Sequence, residues 1–152
     1  MKILIISNGR WASITEKISK IEEFFSPIVD LKIDLKFTDF RAVPFVKRTA
    51  IGKDLKVFEA TIIDSDWFDK NLIPLGAFYD AILFQTEGNP SPTMSGARTD
   101  NNNGPIKLEV YSKEYDRVYQ NGKDMGDAFV KWSCHEICHM LAMMAYQNEP
   151  NK

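Results

Sequence analysis

Directly after Met1-Lys2, the run Ile3-Leu4-Ile5-Ile6 is apolar at four successive positions. Successive side chains of a strand point to opposite faces, so such a run has no polar face to offer water. It must be covered on both sides. Residues 2 to 7 are therefore predicted as a buried first strand. Asp80-Ala81-Ile82-Leu83-Phe84-Gln85 repeats the pattern and predicts a buried central strand over 80–85. The run at 3–6 is too short for the apolar core of a secretory leader. No stretch reaches the ~20 apolar residues that span a bilayer. An intracellular chain without membrane partners is the expectation.

Between these strands the periodicity changes. Ser13 with Glu16 matches a capping box, and Ile14, Ile18, Ile21 and Phe25 recur at helical spacing until Pro27. Leu31, Ile33, Leu35 and Phe37 alternate with Lys32, Asp34 and Lys36, the pattern of a half-buried strand. Residues 56–63 predict a further strand, and Ser65-Asp66 opens a short helical turn running through Leu72. From Gly88 to Pro105 the chain is rich in Asn, Pro, Ser, Thr and Gly and reads as a long surface loop. Ile106, Leu108 and Val110 then alternate with Lys107, Glu109 and Tyr111, which predicts an exposed edge strand over 106–111. Residues 124 to about 146 predict a long helix with a broad apolar surface that includes Met125, Phe129, Trp132, Cys138, Met140, Leu141 and Met144.

The chain has 152 residues, 44% hydrophobic and 26% charged, which suits one domain with a substantial core. A net charge of -2 with no basic block gives no reason to expect nucleic acid. The only cysteines, Cys134 and Cys138, stand four apart on one predicted helix, where a bridge between them is disfavoured, so no disulfide framework is available.

The long helix carries the chemistry. Its segment Cys134-His135-Glu136-Ile137-Cys138-His139 contains H-E-x-x-H, and these are the only two histidines in the chain. Random placement would give this arrangement in roughly one chain per thousand of this composition. Residues four apart share one helix face a turn apart, so two imidazoles can reach one zinc ion. Glu136, beside the first of them, can take a proton from a metal-activated water as general base. Apart from Glu136, no charged residue interrupts Trp132 to Leu141. The alternative is a fortuitous pair on an ordinary core helix. Cys138 could act as a soft ligand, but a small buried apolar residue is the preferred reading. Cys134 lacks a third group to orient a Cys-His pair for nucleophilic work. Asp100–Asn103 could offer oxygen ligands to calcium but reads as a solvated loop, and Gly122 reads as a turn residue.

On these residues the chain resembles a zincin, the broad class of metallopeptidases that share H-E-x-x-H. The predicted order is similar along the whole chain, because zincin domains run strand, helix, several strands including an antiparallel edge strand, then the active-site helix. The resemblance implies an α+β fold over residues 1–152. It implies a mixed, twisted sheet with an antiparallel edge strand, an N-terminal helix and a C-terminal active-site helix. It further implies zinc held by His135 and His139, Glu136 as general base, and hydrolysis of a peptide bond. Ile106, Lys107, Leu108, Glu109, Val110 and Tyr111 would form the edge that pairs with an extended substrate. The metzincin continuation is absent, since Ala142 and Ala145 stand where its glycine and third histidine would be. Glu149, ten residues after His139, is a weak candidate for the third ligand. A ligand from a further C-terminal subdomain or a partner chain is the favoured expectation. The rival readings are an inactive zincin-fold structural or interaction protein and a metal hydrolase of a non-peptide amide.

Overall fold

The computed structural model describes residues 1–8, 12–51, 54–86, 95–98, 106–111 and 125–147. Strand β1 (Lys2–Asn8) leads through a 3-10 segment, Ala12–Lys17, into helix α1 (Ile18–Phe25) and then strand β2 (Lys32–Thr38). The 3-10 segment is a correction to the capping box. Ser13 lies inside the tight turns and not ahead of them, and α1 starts from Lys17 without a side-chain cap. Strands β3 (Phe45–Ile51) and β4 (Val57–Ile63) form an antiparallel pair outside the main sheet. Helix α2 (Ser65–Asn71) follows. Its cap is Asp64, one residue earlier than expected, whose Oδ1 accepts from the Asp66 amide at 2.9 Å. The remaining elements are β5 (Ala81–Thr86), β6 (Ser95–Arg98), β7 (Ile106–Tyr111) and α3 (Met125–Gln147).

The main sheet has five strands in the order β2-β1-β5-β7-β6. The first four run parallel, and β6 is antiparallel to β7. The α+β expectation of helices with a mixed sheet therefore holds in its coarse form. Both apolar runs occupy the middle: Ile3, Leu4, Ile5 and Ile6 of β1 and all of β5 are buried. Alternate residues of these strands feed two cores on opposite faces of the sheet. On one face Ile3, Ile5, Ala81 and Leu83 meet Ile21 and Phe25 of α1 and Ile137 and Met140 of α3. On the other, Leu4, Ile6, Ile82 and Phe84 meet Phe68 of α2, Leu72 and Ile63. Burying each large side chain is worth about 1.5–3 kcal/mol, so the two cores carry most of the stability.

The carboxyl ends of the central strands are polar. Asn8 ties three strands together there. Its Oδ1 accepts from the Phe40 amide at 2.6 Å and from Thr38 Oγ1 at 2.9 Å, while Nδ2 donates to the Phe40 carbonyl at 2.8 Å. Nδ2 also donates to Thr86 Oγ1 at 3.2 Å. At the opposite ends of these strands, Gly76 packs so closely on Ile82 that a Cβ would lie 2.5 Å from its side chain. Only glycine fits at that approach. Among the described residues no helix is long and apolar enough to cross a membrane.

Candidate metal centre

Helix α3 lies against β7 and β6. Ser133, Glu136, Ile137 and Met140 are buried, the i, i+3, i+4, i+7 stripe of a helix seated on a sheet. His135, Cys138, His139 and Ala142 are exposed on the far side. Apolar packing of Ile137 and Met140 on the sheet thus holds the motif with its histidines outward and its glutamate inward.

The two imidazoles converge. His135 Nε2 and His139 Nε2 are 3.0 Å apart, with ring centroids 4.7 Å apart and planes inclined by 78°. Zinc–nitrogen bonds of about 2.0–2.1 Å at a tetrahedral angle separate two ligand nitrogens by about 3.3–3.4 Å. The pair fits one shared cation with a small adjustment. The same separation also suits one proton held between a donor ring and an acceptor ring. Glu136 is 1% exposed, and its Oε1 lies 3.9 Å from His135 Nε2. Burial disfavours a charged carboxylate, and a cation on the adjoining imidazoles would offset that cost.

The described residues contain no cluster of three histidine, cysteine, aspartate or glutamate side chains placed to share an ion. Glu149 lies outside the described residues, as do Asp100–Asn103 and Gly122. Cys138 is exposed, which corrects its reading as a small buried residue. Its position on the histidine side of α3 turns it away from the core. Cys134 is half-buried, and desolvation, with a smaller contribution from Cys138, pushes its thiol up to about 11. A thiol so seldom ionised is a poor nucleophile.

The expected edge strand is also corrected. Ile106–Tyr111 is not an edge, because β7 pairs with β5 on one side and with β6 on the other. Lys107, Leu108, Glu109 and Val110 are each opposite a residue of β6, which closes their side of the ladder. Lys107 is 5% exposed and turned toward α2, where it pairs with Asp69 and its Nζ lies 5.8 Å from the Phe68 ring centre. Among the described residues the antiparallel edge is β6, inside the segment read as a loop. Four residues, Ser-Gly-Ala-Arg, with no large apolar side chain among them, are too few to show an alternation.

Sequence reading passed over Ser7, Gln85 and Ser133. All three are fully buried, and Gln85 Nε2 donates to Ser133 Oγ at 2.9 Å between sheet and helix. A signal existed: Ser7 and Gln85 are the first polar residues at the ends of the two fully apolar strands, and they are direct partners in register. Comparison with protein-family models, curated proteins and solved structures gave no match.

Proposed function

We propose that this chain is a zincin-type peptidase, with His135 and His139 as zinc ligands and Glu136 as the general base. The observation that carries this reading is the convergence of the two Nε2 atoms at 3.0 Å, with the Glu136 carboxylate 3.9 Å from one of them. The order of elements is compatible with it: β1, α1, further strands with α2 among them, the antiparallel β6, the parallel β7, then the motif helix. Bound zinc would supply Lewis acidity, polarising a carbonyl and lowering the pKa of a water. Glu136 accepts the proton of the attacking water and returns it to the leaving amine. Its side chain is buried, which keeps the carboxylate in a fixed place beside His135. Among the described residues β6 is the outermost strand and a neighbour of α3, and its outer side would offer main-chain groups to an extended peptide. It takes the role first expected of residues 106–111.

The test is Glu136→Gln. The amide keeps the shape but cannot accept the proton, so zinc content stays constant while peptide hydrolysis falls on the order of 100-fold or more. Near-normal turnover in the variant would exclude this mechanism. Stoichiometric zinc with no turnover on any peptide by the unaltered chain would instead favour a structural or interaction role. Turnover limited to small amides would favour a non-peptide hydrolase.

A further inference from the structure

Between the sheet and the motif helix lies a buried polar contact in an otherwise apolar layer. Gln85 is fully buried near the end of β5, and its amide donates to Ser133 Oγ at 2.9 Å. Ser133 is fully buried on α3, one turn before Glu136 on the same sheet-facing stripe. Ser7, the register partner of Gln85 on β1, is also fully buried. Gln85 Oε1 and Ser7 Oγ have no hydrogen-bond partner among the described residues. An unsatisfied buried acceptor costs about 1–3 kcal/mol. A leucine at position 85 would extend the row Ala81, Leu83 without that cost, so packing alone gives no reason for an amide there.

The contact supplies direction. Ile137 and Met140 seat α3 in the apolar cluster that holds Ile3, Ile5, Ala81 and Leu83, and apolar contact is not directional. A rotation of about 20° moves a side-chain tip ~6 Å from the helix axis by about 2 Å. Such a turn leaves the spacing of His135 and His139 unchanged, because both ride on one helix. It displaces Glu136 relative to anything held by the sheet, including a substrate on β6. Catalysis is sensitive to misplacement of that size.

We infer that Gln85 is a positioning residue: through Ser133 it sets the rotation of α3 and so the placement of Glu136 relative to the sheet. The inference rests on the peptidase reading for its kinetic consequence but not for its structural one. The test uses the full chain as Gln85→Leu, Gln85→Asn and Ser133→Ala, with zinc content, thermal midpoint, kinetics on an extended peptide and methyl NOEs measured together. In Gln85→Leu zinc is unchanged and the midpoint moves little, since relief of the unsatisfied Gln85 Oε1 offsets the Ser133 hydroxyl left without its partner. NOEs from Ile137 and Met140 to Ile3, Ile5 and Leu83 rearrange, and kcat falls 10- to 100-fold with KM within about twofold. Ser133→Ala gives the same rearrangement, the double variant adds nothing to it, and Gln85→Asn restores part of the original pattern. Unchanged NOEs in Gln85→Leu, or changed NOEs with full kcat, would overturn the inference. If the unaltered chain neither takes zinc nor cleaves peptides, the peptidase reading fails, and the NOE pattern alone decides whether Gln85 sets the helix.

Discussion

On the α2 face of the central sheet, the deeply buried cation Lys107 has a partner. Lys107 reaches Asp69 and lies near the Phe68 ring, inside a layer of aromatic contacts among Phe40, Trp67, Phe68 and Phe84. On the α3 face, Ser7, Gln85, Ser133 and Glu136 are buried, and acceptor atoms of Ser7 and Gln85 have no partner among the described residues. Both faces bury similar aliphatic residues of β1 and β5. The first face uses polarity to close a layer, whereas the second keeps hydrogen-bonding capacity beneath the histidine pair. Stability alone favours the first arrangement. The second lies under the helix that carries H-E-x-x-H.

The comparison is easiest to break at the aromatic layer. Phe84 is fully buried, with ring centres 5.8 Å from Trp67 and 6.3 Å from Phe68. Phe84→Ala should cost about 3–5 kcal/mol in denaturant unfolding, from lost transfer energy and the cavity left behind. A loss below about 1 kcal/mol would mean that this face is not the packed one.

The Lys107–Asp69 pair sharpens the contrast at smaller scale. Asp69 is 47% exposed, so Lys107→Ala leaves a carboxylate that water can partly solvate. The expected cost is about 1–3 kcal/mol, below the range for a fully buried pair. Lys107→Met keeps the packing of the stem and should cost less than about 1 kcal/mol. Equal losses in the two variants would show that charge, and not packing, holds β7 to α2.

The smallest effect is expected at the exposed counterpart of that pair, near the start of β1. Lys2 lies 3.7 Å from Asp34, and the Tyr79 hydroxyl donates to Asp34 Oδ2 at 2.5 Å. That hydrogen bond, with smaller contributions from desolvation and the carboxylate's charge, raises the tyrosine above its ordinary 10.0. A raised folded-state value favours the protonated form. The stabilisation is therefore complete below the unfolded tyrosine's pKa and is lost as pH rises through the folded one. Tyr79→Phe should remove this alkaline slope and change neutral-pH stability only slightly, because the site is open to solvent. An unchanged slope above pH 10 would assign it to other groups.

How much of this was legible in the sequence differs by element. β1, β5 and the motif helix were readable because each buries a continuous surface, and burial leaves a pattern in the order of apolar residues. The alternation from Lys107 to Tyr111 identified a strand but misplaced it. Period-two patterning does not distinguish an edge from a strand covered by a four-residue neighbour. Lys107 misled for a related reason: a lysine on an alternating strand reads as solvent-facing unless its partner, Asp69 on a distant helix, is known. Strand β3, with Phe45-Val46-Lys47-Arg48-Thr49-Ala50-Ile51, went unread because it pairs only with β4 and keeps Val46 and Ile51 exposed. The histidine pair and Glu136 were legible as a motif. The inward turn of Glu136 and the Gln85–Ser133 contact were not, since both depend on which side of α3 meets the sheet.

The central claim is that His135 and His139 share a zinc ion with Glu136 beside it. The most direct measurement is an anomalous difference map at the zinc edge from crystals grown with zinc, set beside elemental analysis of His135→Ala and His139→Ala. The account predicts one strong peak about 2.0–2.1 Å from both Nε2 atoms and loss of stoichiometric zinc in either variant. A map with no peak between the two imidazoles, or zinc content unchanged in both variants, would contradict it.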